Sequence, residues 1–328
     1  VVFLYFSFYF LFFKLIKNLK LNTVFIFALL SPLAFYYPVL NSKATGHKEI
    51  IFLLFLSLFC YLLPKIKKIE AIYIVSLMIL IVGLSHDGLV VFSTYLIIPF
   101  LLFFEFKNYK ELFINSLPIL LVILLLTILI YIFKGSEQHV IDICKSIKIY
   151  AHDECENIGK ISALKFSIEA PLIQKSKLVY GGYSVYPSYF KIYGIGFIFG
   201  FLPLIVLYRR SNFLKLFMNK KILPLYILFI PWLLTFPIYY MAADWGRYLY
   251  ISYMSSLIII IFCMENKILF FREIKIKYQD NKIIRILFIL SIAIYGFGWT
   301  VPVCCEKNLK FGISDTTKRI IYYYNKNN

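Results

Sequence analysis

Between residues 222 and 264 two apolar runs, ILPLYILFIPWLLTFPIYY and ISYMSSLIIIIFCM, are separated only by MAADWGRYLY. Each run is near the roughly 20 residues that a bilayer-spanning helix requires. The stretch therefore reads as a tight hairpin of two membrane helices with Asp244 and Arg247 at its tip. A charge at mid-bilayer costs at least ~2.5–3 kcal/mol unless it is paired or wet. An acid and a base three residues apart share a helical face and offset part of that cost. Trp245, Tyr248 and Tyr250 beside them suit a membrane–water interface. Two readings stay open: the pair staples the turn, or it faces a polar cavity at one membrane surface.

Composition carries this beyond the hairpin. The 328 residues are 61% hydrophobic and 16% charged, whereas soluble domains average about 45–50% and 25%. The expected fold is all-α: a polytopic transmembrane protein of about ten spans in one integral-membrane domain, residues 1–328. The net charge of +18 does not point to nucleic acid, because the basic residues are scattered through membrane-flanking loops, where anionic lipid favours them. The chain opens on Val1 inside an apolar run, VVFLYFSFYFLFF, which reads as a piece lacking its own start. No basic leader or small-residue cleavage site marks that run as a signal peptide.

In chain order the spans are expected near residues 1–13, 21–40, 50–63, 71–84, 89–104, 112–133 and 189–208, then the two arms of the hairpin, then 283–303. Pro32 and Pro38 are tolerable in the second because neighbouring helices can satisfy the freed carbonyls. Residues 134–187 form one large polar outer loop between spans six and seven, long enough to carry short helices of its own. The alternation in EIKIKY, residues 273–278, suggests an interfacial or strand-like piece. Nineteen lysines and arginines flank one set of span ends, against three in the short loops of the other. Basic excess marks cytoplasmic loops, so residues 41–49, 85–88, 134–187, 244–247 and the tail are expected outside a cytoplasmic membrane.

The polar residues least like loop filler fall on that outer side. A turn needs only Gly and one small polar residue, yet residues 85–88 read Ser-His-Asp-Gly. Imidazole can exchange a proton near neutral pH and a neighbouring carboxylate can orient it, so His86 and Asp87 either act chemically or cap helices at a wet surface. Lys43, His47, Lys48 and Glu49 share the face; cations there could hold a lipid pyrophosphate or anchor the interface. Cys144 and Cys155 lie in the large loop, where an oxidising compartment allows a disulfide between them. Vicinal Cys304 and Cys305 follow the last span, and Cys60 and Cys263 sit in apolar spans as packing residues. His152-Asp153-Glu154-Cys155 lacks the second ligand pair of a known metal site, and no metal or cofactor is expected. Residues 180–190, YGGYSVYPSYF, have no phosphate-loop signature and read as an interfacial aromatic belt. No Walker, GxGxxG, GxSxG or HExxH pattern is present.

SPLAFYYPVLNSKATGHKEI, SHDGLVVF and ADWGRYLY, set in many spans with one large outer loop, carry a resemblance to bacterial surface-polysaccharide membrane proteins. The architecture resembles the O-antigen and capsule repeat-unit polymerases, including the EpsG-like group, and the membrane-embedded glycosyltransferases. That resemblance implies transfer of sugar units from an undecaprenyl-pyrophosphate-linked saccharide at the outer membrane surface. Arg247 with Lys48 or Lys43 would hold the pyrophosphate, and Asp244 or the His86–Asp87 pair would activate the acceptor hydroxyl. In the embedded glycosyltransferases the base is usually an acid in the first outer loop, for which no counterpart is identified here. The rival readings are a transporter or flippase of a lipid-linked saccharide, to which broken helices near Pro231 and Pro237 would suit a transport path, and a non-catalytic envelope-assembly protein.

Overall fold

Apolar residues occupy both faces of the first helix. In α1 (Val2–Ile16) Phe8, Phe12 and Leu15 are buried at helical spacing, while Phe3, Phe6, Phe10 and Phe13 stay exposed on the other side. A helix apolar all round needs lipid or protein on every face. A computed structural model gives the structure of residues 2–19, 23–34, 37, 48–133, 136–147, 186–210, 233–236, 238–239, 244–269, 282–303, 321 and 324. Of these, 85% are helical and none forms a strand. After α1 come α2 (Thr23–Leu29), α3 (Glu49–Leu62), α4 (Lys68–Ser85), a 3-10 turn (Asp87–Ser93), α5 (Thr94–Phe103), α6 (Tyr109–Ile132), α7 (Glu137–Ile147), α8 (Tyr186–Arg210), α9 (Trp245–Glu265) and α10 (Lys282–Phe297).

Among the described residues four stretches are long and apolar enough to cross a membrane: Lys68–Ser85, Tyr109–Ile132, Tyr189–Leu207 and Trp245–Glu265. They mark the chain as a membrane protein, and their packing differs sharply. In its most apolar window α9 has 89% of its residues buried, against 11% for α6. α9 is the central post, packed against α1, α3, α5 and α8. α6 leans on α4 through Ile119 and Leu126, and shows Phe113, Leu121, Leu124 and Ile132 to the surroundings. At Gly83 of α4 an added Cβ would stand 2.7 Å from Leu126 Cδ1, so these two helices approach closely and a side chain there would have to displace Leu126.

Several expected boundaries move. The span expected over residues 21–40 stops as a helix at Leu29, because Pro32 offers no N–H and Ser31 turns its hydroxyl to Gly200 O at 2.9 Å. The span over 89–104 is divided, opening as a 3-10 turn before α5. The last span ends at Phe297, and residues 299–303 leave the helix to cross the start of α9, where Gly246 N–H donates to Val303 O at 3.2 Å. α7 is one of the short helices that the polar segment 134–187 is long enough to carry. Cys60 and Cys263 are buried free thiols, as packing residues should be. Most of the first arm of the hairpin and residues 273–278 lie outside the described residues.

The two ends of the bundle carry different chemistry. At one end Lys65 Nζ sits 3.3 Å from the Tyr61 ring centroid and Lys14 Nζ 5.4 Å from it, tying the ends of α1 and α3 together. There too Lys68 pairs with Glu111 at 2.9 Å. Glu111 also accepts the Lys107 N–H at 2.8 Å, and the Asn108 side chain accepts the Glu111 N–H at 2.8 Å, which together cap α6. At the opposite end the start of α9 meets the start of α3 through Arg247 and Glu49, and the start of α8 through Trp245 and Tyr189. There it also meets the stretch after α10 through Gly246 and Val303, while Lys48 before α3 reaches Ser85 at the end of α4.

Candidate functional site

Arg247, in the first turn of α9, is held by two carboxylates from different helices. Its Nη2 lies 2.5 Å from Glu49 Oε1 at the start of α3, and its Nη1 lies 2.8 Å from Asp244 Oδ2, the residue just before α9. The Arg247 and Glu49 side chains are 13% and 5% exposed, whereas Asp244 is 29% exposed. Such a network is stabilising only as a set: the fork of guanidinium donors matches paired carboxylates, and a buried charge left alone is costly. Acids also suit both positions, because each stands at the positive end of a helix dipole. The Asp244–Arg247 pairing expected from the sequence is present, and Glu49, expected only to share that face, adds a second carboxylate to it.

The surroundings of this corner are closely packed. Gly246 has no room for a side chain: a Cβ would collide with the Pro302 carbonyl and come within 2.7 Å of the Tyr37 hydroxyl. Tyr37 is fully buried, stacks on Tyr250 with centroids 5.0 Å apart, and feels the charges of Arg247, Asp244 and Glu49. Trp245 is boxed by Tyr189, Phe190, Tyr193 and Tyr239, with centroids 5.1–5.7 Å away.

Two further candidates lie at the same end. Lys48, one residue before α3, donates from Nζ to Ser85 O at 2.9 Å; it satisfies a carbonyl at the end of α4 where a cation is electrostatically favoured. His86 ends α4 and opens the 3-10 turn, its Nδ1 accepting the Gly88 N–H at 3.1 Å. That bond requires an unprotonated Nδ1, so the proton of the neutral ring sits on Nε2. In this arrangement Lys48 and His86 serve the backbone. Asp87 opens the turn, but its side chain lies outside the described residues, as do Lys43, His47, residues 152–155, Cys304 and Cys305. Cys144 is disulfide-bonded; Cys155 is outside the described residues too. Among the described residues no three His, Cys, Asp or Glu side chains stand together as metal ligands.

No family model, curated protein or solved structure matches this chain. The site must be read from its chemistry. As built, both Arg247 amino groups are taken, so an anion would have to displace a carboxylate to be clamped there. Asp244, at 29% exposed, is the more accessible of the two carboxylates, and one of its oxygens is oriented by Arg247, as a positioned acceptor for a proton would be. Glu49 and Tyr37 are what sequence reasoning missed. The available signal was an acid opening an apolar helix, which has a capping use of its own.

Proposed function

We propose that the chain is a multi-pass protein of the cytoplasmic membrane, with about ten spans, that transfers or polymerises lipid-carrier-linked sugar units at the outer face. The observation supporting it is that Glu49, Asp244, Arg247, Lys48 and His86 gather at one end of an apolar bundle, opposite the end held by Lys14, Lys65 and Lys68. Charged groups kept at a membrane rim at a desolvation cost are a functional site by default. In this reading Asp244 removes the proton of an acceptor hydroxyl. The oxygen bonds to the anomeric carbon, the bond from that carbon to the carrier pyrophosphate breaks, and the pyrophosphate leaves with the electron pair. Glu49 and Arg247 position Asp244, and an incoming pyrophosphate competes with Glu49 for Arg247.

Asp244→Asn tests this, since the amide can still accept from Arg247 and the fold is expected to survive. In cells lacking the native chain, the variant should leave single carrier-linked units accumulating on the outer leaflet and little polymer. Wild-type polymer length and amount with Asp244→Asn would refute the enzyme reading. One observation favours a flippase instead: Ser252 and Ser255 bury their hydroxyls along α9, inward of Arg247. Accumulation of carrier-linked units on the cytoplasmic leaflet in a deletion would support that path.

A further inference from the structure

α7 follows the most lipid-exposed helix of the bundle. α6 ends at Ile132 and α7 begins at Glu137, so even a fully extended connection separates them by no more than about 18 Å. α6 shows a nearly continuous apolar surface to the outside, which places its end at a membrane–water boundary and α7 within reach of it. α7 is built to stand as a helix: Ser136 Oγ accepts the His139 N–H at 3.2 Å, and Gln138 donates to Asp142 at 2.9 Å along its polar side. At 3.6 residues per turn, Val140, Ile141, Ile143 and Cys144 fill an arc about 160° wide. Gln138, His139, Asp142, Lys145 and Ser146 fill the opposite one. On the apolar arc Ile141 and Ile143 are 41% and 37% exposed.

We infer that α7 is an interfacial helix, lying in the membrane plane with Ile141 and Ile143 in the boundary between headgroups and acyl chains. An amphipathic helix with a wide apolar arc adopts this position when it is held at a bilayer surface. Continuity with the lipid-facing surface of α6 makes the bilayer its occupant. The helix emerges at the end of the bundle that carries Arg247. It thereby anchors the start of the segment after α6 at the membrane surface, with Cys144 tying it covalently to another part of the chain.

The test uses the full chain reconstituted in vesicles whose lipids are brominated high in the acyl chain. Ile141→Trp, Ile143→Trp, Asp142→Trp and Ser146→Trp are compared, with the emission of the unsubstituted chain subtracted. The added emission of Ile141→Trp and Ile143→Trp should be quenched several-fold more by brominated lipid than that of Asp142→Trp or Ser146→Trp. Aqueous acrylamide should show the reverse order. Equal quenching on both arcs by brominated lipid would overturn the assignment. So would protection of Ile141→Trp and Ile143→Trp from both quenchers, which would mean that protein covers this face.

Discussion

Arg247 shows how much one residue can hold. Its two amino groups join the start of α3 to the start of α9 through Glu49 and Asp244, while the more exposed Lys48 merely caps α4. Removing one member of a buried ion pair costs roughly 3–5 kcal/mol, because the partner is left charged and poorly solvated. Losing a surface hydrogen bond costs about 1 kcal/mol. Glu49→Ala should therefore lower stability far more than Lys48→Ala, although the two residues are neighbours. Equilibrium unfolding in mixed detergent micelles checks the order; equal losses would mean that Glu49–Arg247 is not a buried pair.

At the scale of elements, glycine positions separate close contact from open surface. Gly246→Ala should destabilise by about 1–3 kcal/mol, the usual cost of forcing atoms into a packed site, since the Pro302 carbonyl and Tyr37 hydroxyl stand in the way. Gly194→Ala in α8 meets nothing within 4 Å and should stabilise by up to about 1 kcal/mol through helix propensity. Thermal unfolding of the two variants distinguishes them by sign. Helices were legible where apolar runs are long, as in α4, α6 and α9, because the bilayer demands length and internal hydrogen bonding. The break after Leu29 was not, because a proline in an apolar run is compatible with either a kinked span or a stop. At the site, Asp244 and Arg247 were legible from local spacing. Glu49 is almost 200 residues away in sequence, and no local rule connects it to α9.

For the whole molecule, the account turns on polarity between two ends: lysines and cation–π contacts at one, the Glu49–Arg247–Asp244 network at the other. Lysine excess points to the cytoplasmic side, so the network should face out. The deciding measurement is labelling of single cysteines by an impermeant thiol reagent, with the native cysteines replaced by serine. Lys48→Cys, at the network end, should react in intact cells, and Lys107→Cys, at the lysine end, only after the membrane is permeabilised. The reverse pattern, or reaction of both from the same side, would contradict the account.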